Sequence, residues 1–247
     1  EGALILKPDA SVAVWGEHFD PSLMLGAQGS GGGVAPFLSL EGGVINDGQN
    51  EVGSELDVVI LAAAVERTLY TSAYVKGTRN DPVCFYVGPE MKNAKPDPAS
   101  PVPQHPTCAG CPKDAFGSSP IPGRKGKACG ERARLLVLAM GDNDHPSEAP
   151  LRRLRIPATS LKFLDAYVSK VLALRPIQSV VTTITVTPDK GDQFHVAFKP
   201  RGFVDASLAS ALAARYEEGK LALLDGYKPT AKQGTVEAKT GRRVVKR

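Results

Sequence analysis

Two stretches of the chain carry a helical period. In "TSLKFLDAYVSKVLAL" the apolar residues Leu161, Leu164, Val168, Val171 and Leu172 fall at i, i+3, i+7, i+10 and i+11, with Thr159 or Ser160 placed to cap the helix. In "DASLASALAARYEEGKLALL" Leu208, Leu212, Tyr216 and Leu223 share a face and Asp205 can cap. Between them, "SVVTTITVT" and "QFHVAFKP" alternate apolar and polar positions on either side of "PDKGD", which predicts a β-hairpin. Short apolar or alternating runs elsewhere read as strands: "LILK", "SVAVWG", "APFLSL", "RLLVLAM" (Arg134–Met140) and "LRRLRIP" (Leu151–Pro157). "LDVVILAAAV" (Leu56–Val65) reads as a buried strand whose alanines could also continue as helix. No internal repeat is visible. The pattern predicts an α+β fold: an antiparallel β-barrel core of OB-like type, with two helices and a loop insert. Residues 1–227 form one β-rich domain with the insert at about 80–133, and 228–247 form a basic C-terminal tail.

The insert stands out because its pattern stops. "KNAKPDPASPVPQHP" has five prolines and almost no apolar residues, so it is irregular. A loop of this length inside a domain needs something to pin it, or a function. Positive charge gathers in the same place. Cys84–Leu135 holds eight Lys/Arg (Lys92, Lys95, Lys113, Arg124, Lys125, Lys127, Arg132, Arg134) against four acids. The tail from Lys228 holds seven against one, although the whole chain is only +4. Such gathering is the electrostatic footprint of a polyanion binder; a solvated surface with a disordered tail is the plainer reading. No apolar run approaches the roughly 18 residues that span a membrane, and the first residues lack the basic flank and apolar core of a secretory leader.

All four cysteines border or lie in the insert, spaced C-x23-C-x2-C-x17-C at Cys84, Cys108, Cys111 and Cys129. A C-x2-C turn presents two thiolates to one ion, and a second pair from flanking segments completes a structural, tetrahedral Zn2+ site. Zinc binding would also keep a Pro-rich segment folded. Other readings stay open: His105 in place of Cys84, disulfides, a redox C-x2-C, or unconnected thiols. Four thiolates leave no open position for a catalytic water.

Enzyme signatures are missing. There is no Ser/His/Asp pattern, no recognisable catalytic carboxylate pair and no dinucleotide fingerprint; His18, His145 and His195 are scattered. "AQGSGGG" (Ala27–Gly33) lacks the following Gly-Lys-Ser/Thr of a phosphate loop, and "GRKGKAC" has Ala128 where Ser/Thr belongs. The expectation is a protein without catalytic residues.

The series "PVCFYVGP", "CAGCPKDAFGSS", "GKAC", "RARLLVLAM", "LRIPATSLKFLDAYV" and "PIQSVVTTITV" resembles a family of tailed-bacteriophage proteins, some described as single-stranded DNA-binding proteins. The resemblance runs from about Tyr70 to Pro200, with the Cys-x2-Cys-Pro…Phe-Gly-Ser…Gly-Lys-Ala-Cys block its most specific part. It implies that all four cysteines act together, favouring Cys84 over His105. It also implies work in the cytoplasm of an infected bacterial host, on single-stranded DNA, handing the strand to replication or recombination proteins. One departure is the end "AKTGRRVVKR": such phage proteins often end in an acidic tail that recruits replication partners.

Single-strand binding needs cations along the phosphates and aromatic faces for bases. The candidates are Lys113, Arg124, Lys125, Lys127, Arg132 and Arg134, with Tyr70, Tyr74 and Phe116 as platforms beside Phe85 and Tyr86. The alternative is a phage structural or assembly protein in which zinc only stabilises and the basic tail docks a partner. A zinc hydrolase is a third and weaker case. Oligomeric state has no signature in the chain.

Overall fold

A computed structural model describes residues 4, 6–19, 35–41, 43–47, 51–72, 80–89, 91–120, 125–141, 145–189 and 194–228. The expected loop Ala27–Gly33, Tyr74, Arg124, the turn at 190–193 and the tail beyond Lys228 lie outside them.

The spine of the fold is β4 (Glu55–Leu69). Its alanines continue as strand, because partners on both edges satisfy the backbone and override their helical preference. Along one edge runs β6 (Cys129–Met140). Along the other, β8 (Val180–Pro188) pairs with the first residues and β5 (Cys84–Gly88) with the last. Between these two, Gln178 Nε2 donates to the Leu61 carbonyl at 2.8 Å. Beyond β6 come β7 (Leu151–Pro157), β1 (Phe37–Glu41), β2 (Val44–Asn46) and β3 (Glu51–Gly53). Beyond β8 comes β9 (Phe194–Phe203), which completes the predicted hairpin.

The order is β3-β2-β1-β7-β6-β4-β8-β9, with β5 added to β4, and every pairing is antiparallel except β1 with β7. The sheet curls into a half-barrel within a mixed α+β fold. Its strand order ends at β3 and β9, so it does not describe the closed OB-like barrel expected from the pattern.

Helices cover both faces. α2 (Leu161–Leu172) packs over Val58, Ile60, Leu135, Val137 and Ile184. α1 (Ser11–His18) and α3 (Ala209–Leu224) pack over Val59, Leu61, Leu136 and Leu138. A bulge at Ile60/Ala62 switches the phase of β4. Before it, even-numbered residues face α2; after it, Ala63 faces α2 while Ala62 and Ala64 face α3. This switch decides where every charge near the end of β4 points.

Three expectations are corrected. "SVAVWG" lies in helix α1, because Trp15 and Phe19, four apart, are buried together against the α3 layer. The described residues of "LILK" form no strand. Ser160 does not cap α2: it is buried, and its hydroxyl accepts from Val196 N at 2.9 Å. Asp205, by contrast, accepts from Ser207 N at 2.8 Å at the turn that leads into α3. No helix among the described residues is long and apolar enough to cross a membrane.

Candidate metal and nucleic-acid site

The cysteines are gathered by strand register. Leu69, the last residue of β4, is paired with Cys84 on one side and Cys129 on the other. Both thiols therefore start from the same row on the α2 side of the sheet. The C-x2-C turn is hung over that row. Cys108 N donates to the Ala94 carbonyl at 2.8 Å, Cys111 N reaches back to Cys108 O at 3.3 Å, and Gly110 takes φ +78° between them. That left-handed conformation suits glycine at the crown of a tight turn.

All four cysteines line one cavity of about 20 Å³, with Arg67, Leu69 and His105 among its walls. All are free thiols, so no disulfide joins them. Burial pushes the Cys129 thiol up to about 11; Arg67 opposes this, and Cys84, Cys108 and Cys111 add to it. Cys108 is also raised, by burial and then by Cys84. Among the described residues, no three His, Cys, Asp or Glu side chains stand at metal-holding spacing. His105 turns its Nδ1 to the Thr107 carbonyl, 2.8 Å away.

One hydrogen-bond donor in the cavity wall is unmet among the described residues. Arg67 is buried in the cavity wall. Its terminal nitrogens meet Asp114 and, at 2.6 Å, Glu131. Its Nε finds no acceptor among the described residues. A buried donor left unmet costs about 1–3 kcal/mol. A thiolate in the cavity would accept that proton, whereas neutral thiols accept poorly.

Asp114 ties this wall to the surface. It accepts from Arg67 and, at 2.8 Å, from Lys127 Nζ. These cations outweigh its burial and hold its carboxyl below the usual range. Lys127 in turn lies 5.4 Å from the centre of the Phe116 ring. Phe116 is 82% exposed. It is carried on a clasped loop: Gly117 N donates to the Lys125 and Gly126 carbonyls, both at 3.1 Å, and Ala128 N donates to Ser118 Oγ at 3.0 Å. The "AFGSS…GKAC" block thus folds to close this loop. Lys113 and Lys125 are exposed beside it.

The Pro-rich stretch has its own anchors. Asp97 N donates to Phe85 O and Val102 N to Val83 O, both at 2.8 Å, while the Ser100 hydroxyl accepts from Phe85 N at 3.0 Å. The loop thereby lies along the free edge of β5, hydrogen-bonded without a regular ladder.

Other sequence candidates lie elsewhere. Arg134 is a correction: it is 1% exposed and presents nothing to a ligand. Its guanidinium is spent on Glu66 and on the carbonyls of Leu223 and Asp225. Arg132 is on the same α3 face, donating to Thr68 Oγ1 at 2.8 Å, away from the thiols. Tyr70 is half-buried at the end of β4. Phe85 is buried, against Tyr227.

Sequence reasoning missed the network around Glu66. This fully buried carboxylate meets Arg134, Arg155 at 3.0 Å and the hydroxyl of Tyr227 at 2.7 Å. Burial raises its pKa, but Arg134 and Arg155 outweigh that and hold it below the usual range. The alternating arginines of "LRRLRIP" were the available signal: Arg153 and Arg155 reach one face and both lie about 4 Å from the Phe37 ring centre, at 4.1 and 3.8 Å.

No family model, curated protein or solved structure matches the chain.

Proposed function

We propose that this is a non-catalytic single-stranded DNA-binding protein of a tailed bacteriophage, acting in the infected cell. It would protect the strand and pass it to replication or recombination proteins. The observation that carries the reading is Phe116, an aromatic ring 82% exposed on a hydrogen-bonded loop, with Lys127 5.4 Å from its centre and the exposed Lys113 and Lys125 in the adjoining backbone. A large ring held in water contributes nothing to a core. Stacking a base on such a ring contributes about 1–3 kcal/mol, and the lysines supply phosphate contacts. Tyr70 and Arg132 belong to the proposal as flanking contacts.

In the same proposal Cys84, Cys108, Cys111 and Cys129 hold one structural Zn2+. When bound, the ion supplies cross-linking and no reaction chemistry. Arg67 would then donate its unmet Nε–H to a ligand sulfur and offset the negative charge of the thiolates. Through Asp114 and Lys127 it connects the cysteine cavity to the loop bearing Phe116. In this proposal the half-barrel sheet carries the insert and so serves as the platform for the strand.

Fluorescence anisotropy tests the reading, with a labelled oligothymidylate and a duplex of equal length across a salt series. Tight, salt-sensitive binding that prefers the single strand is expected. Equal binding to both, or none at low salt, would leave the knuckle as scaffold and favour an assembly role.

A further inference from the structure

The α3 face of the sheet end holds more positive charge than the fold uses. Register places Arg134 directly opposite Arg155, and Arg132 opposite Glu66. Arg153 sits two residues before Arg155 on the same face. Like charges directly opposed destabilise a sheet. Their crowding is felt: burial first, then Arg134, pull Arg153 down to about 10, with Arg155 adding to the effect. Among the described residues, two carboxylates answer these four arginines, Glu66 and Asp225, and Asp225 also has Lys228 at 3.9 Å.

Two of the four have a structural task. Arg134 donates to the carbonyls of Leu223 and Asp225 at 3.2 and 2.5 Å, and Arg153 to that of Ala222 at 2.6 Å. They cap the C-terminus of α3, where free carbonyls and the helix dipole favour cations. Arg132 and Arg155 do not share that task. Arg155 gives its Nε to Glu66 and Arg132 one terminal nitrogen to Thr68. Among the described residues no other hydrogen-bond acceptor meets either guanidinium, and both are 35% exposed. Arg155 also stacks on Phe37, which fixes the plane of its fork.

We propose that Arg132 and Arg155 form a binding site for a phosphate-type oxyanion, either free or carried on a polynucleotide strand. Planar guanidinium forks match phosphate oxygens in pairs. An anion would relieve the surplus charge that Glu66 and Asp225 leave. The site shares Arg132 with the single-strand reading but does not depend on it, since a free oxyanion would fill it equally well.

The test is NMR of the arginine Nε–Hε groups in the full chain, titrated separately with inorganic pyrophosphate and with oligothymidylate. Arg132→Gln and Arg155→Gln assign the two signals; should one variant fail to fold, through-bond connectivity assigns its signal in the parent. Saturable shifts of both signals with at least one probe are expected. Shifts with pyrophosphate alone identify a free oxyanion, and sustain the site even if single-strand binding fails. Shifts with the oligonucleotide identify the strand as the source, and removing both arginines should then lower the salt slope by roughly 0.7 per lost phosphate contact. If neither probe moves the two signals, or all exposed arginines move alike, the proposal is overturned.

Discussion

Glu66 and Arg67 are neighbours on β4, yet they anchor charge networks on opposite faces of the sheet. Arg67, with Lys127, meets two acids, Asp114 and Glu131, so that side is balanced. Glu66 faces Arg132, Arg134 and Arg155, with Arg153 close by, so that side is not. The balanced network lies between the cysteine cavity and the Phe116 loop, as a strut would. The unbalanced one lies at the end of α3 with two arginines half in water. Balance suits a structural clamp, whereas surplus charge of one sign suits a ligand.

The largest effect is expected on the balanced side. On the proposed Zn2+ site, Cys108→Ser should take zinc from one per chain to nearly none and loosen the segment between Cys84 and Cys129. Elemental analysis with hydrogen exchange reads both, and unchanged zinc would remove Cys108 from the ligand set. Structural zinc contributes on the order of 10 kcal/mol of binding free energy, which becomes folding free energy.

Next comes Glu66→Ala, which strands Arg134 in the interior. Removing one partner of a buried pair costs about 3–5 kcal/mol. Urea unfolding measures it, and a loss under about 1 kcal/mol would equal that of an exposed pair and contradict the burial argument. The pH dependence follows from the same group. Its folded pKa is depressed, so its stabilisation is present above the ordinary glutamate value, about 4.3. It fades as pH falls through the folded value. Urea midpoints between pH 7 and pH 3 should therefore fall less steeply in Glu66→Ala than in the parent.

Phe116→Ala separates binding from folding. The ring is exposed, so the melting temperature should hold while single-strand affinity drops by about 1–3 kcal/mol. A lower melting temperature with unchanged affinity would reverse its role. The smallest expected effect is Lys125→Gln with Lys127→Gln, a shallower salt dependence by roughly 0.7 per lost phosphate contact, read by anisotropy. An unchanged slope would remove these lysines from the contact surface.

Much of this was legible where a single period governs a segment. Leu161 to Leu172 and Leu208 to Leu223 announce helices, and the Thr/Val alternation of β8 announces a hairpin. Cysteine spacing pointed to a four-cysteine zinc site; the structure brings the four thiols to one cavity, with Cys84 and Cys129 on either side of Leu69. "SVAVWG" misled because its alternation is local, while the burial of Trp15 and Phe19 depends on α3, some 200 residues away in sequence. Arg134 misled for a different reason. Alternation along β6 sets it on the face of Leu136 and Leu138, but the groups that bury it, Glu66 and the carbonyls of Leu223 and Asp225, come from distant parts of the chain. Phe116 could be read as a platform or as loop packing, and only its exposure separates the two.

The most direct measurement is ultraviolet cross-linking of oligothymidylate to the full-length protein, followed by peptide mapping. Adducts at Phe116, reduced by added salt and by competing single strand, are the predicted result. Adducts confined to surfaces away from the Cys108–Cys129 loop, in a protein that binds the strand, would contradict the assignment of that loop as the platform.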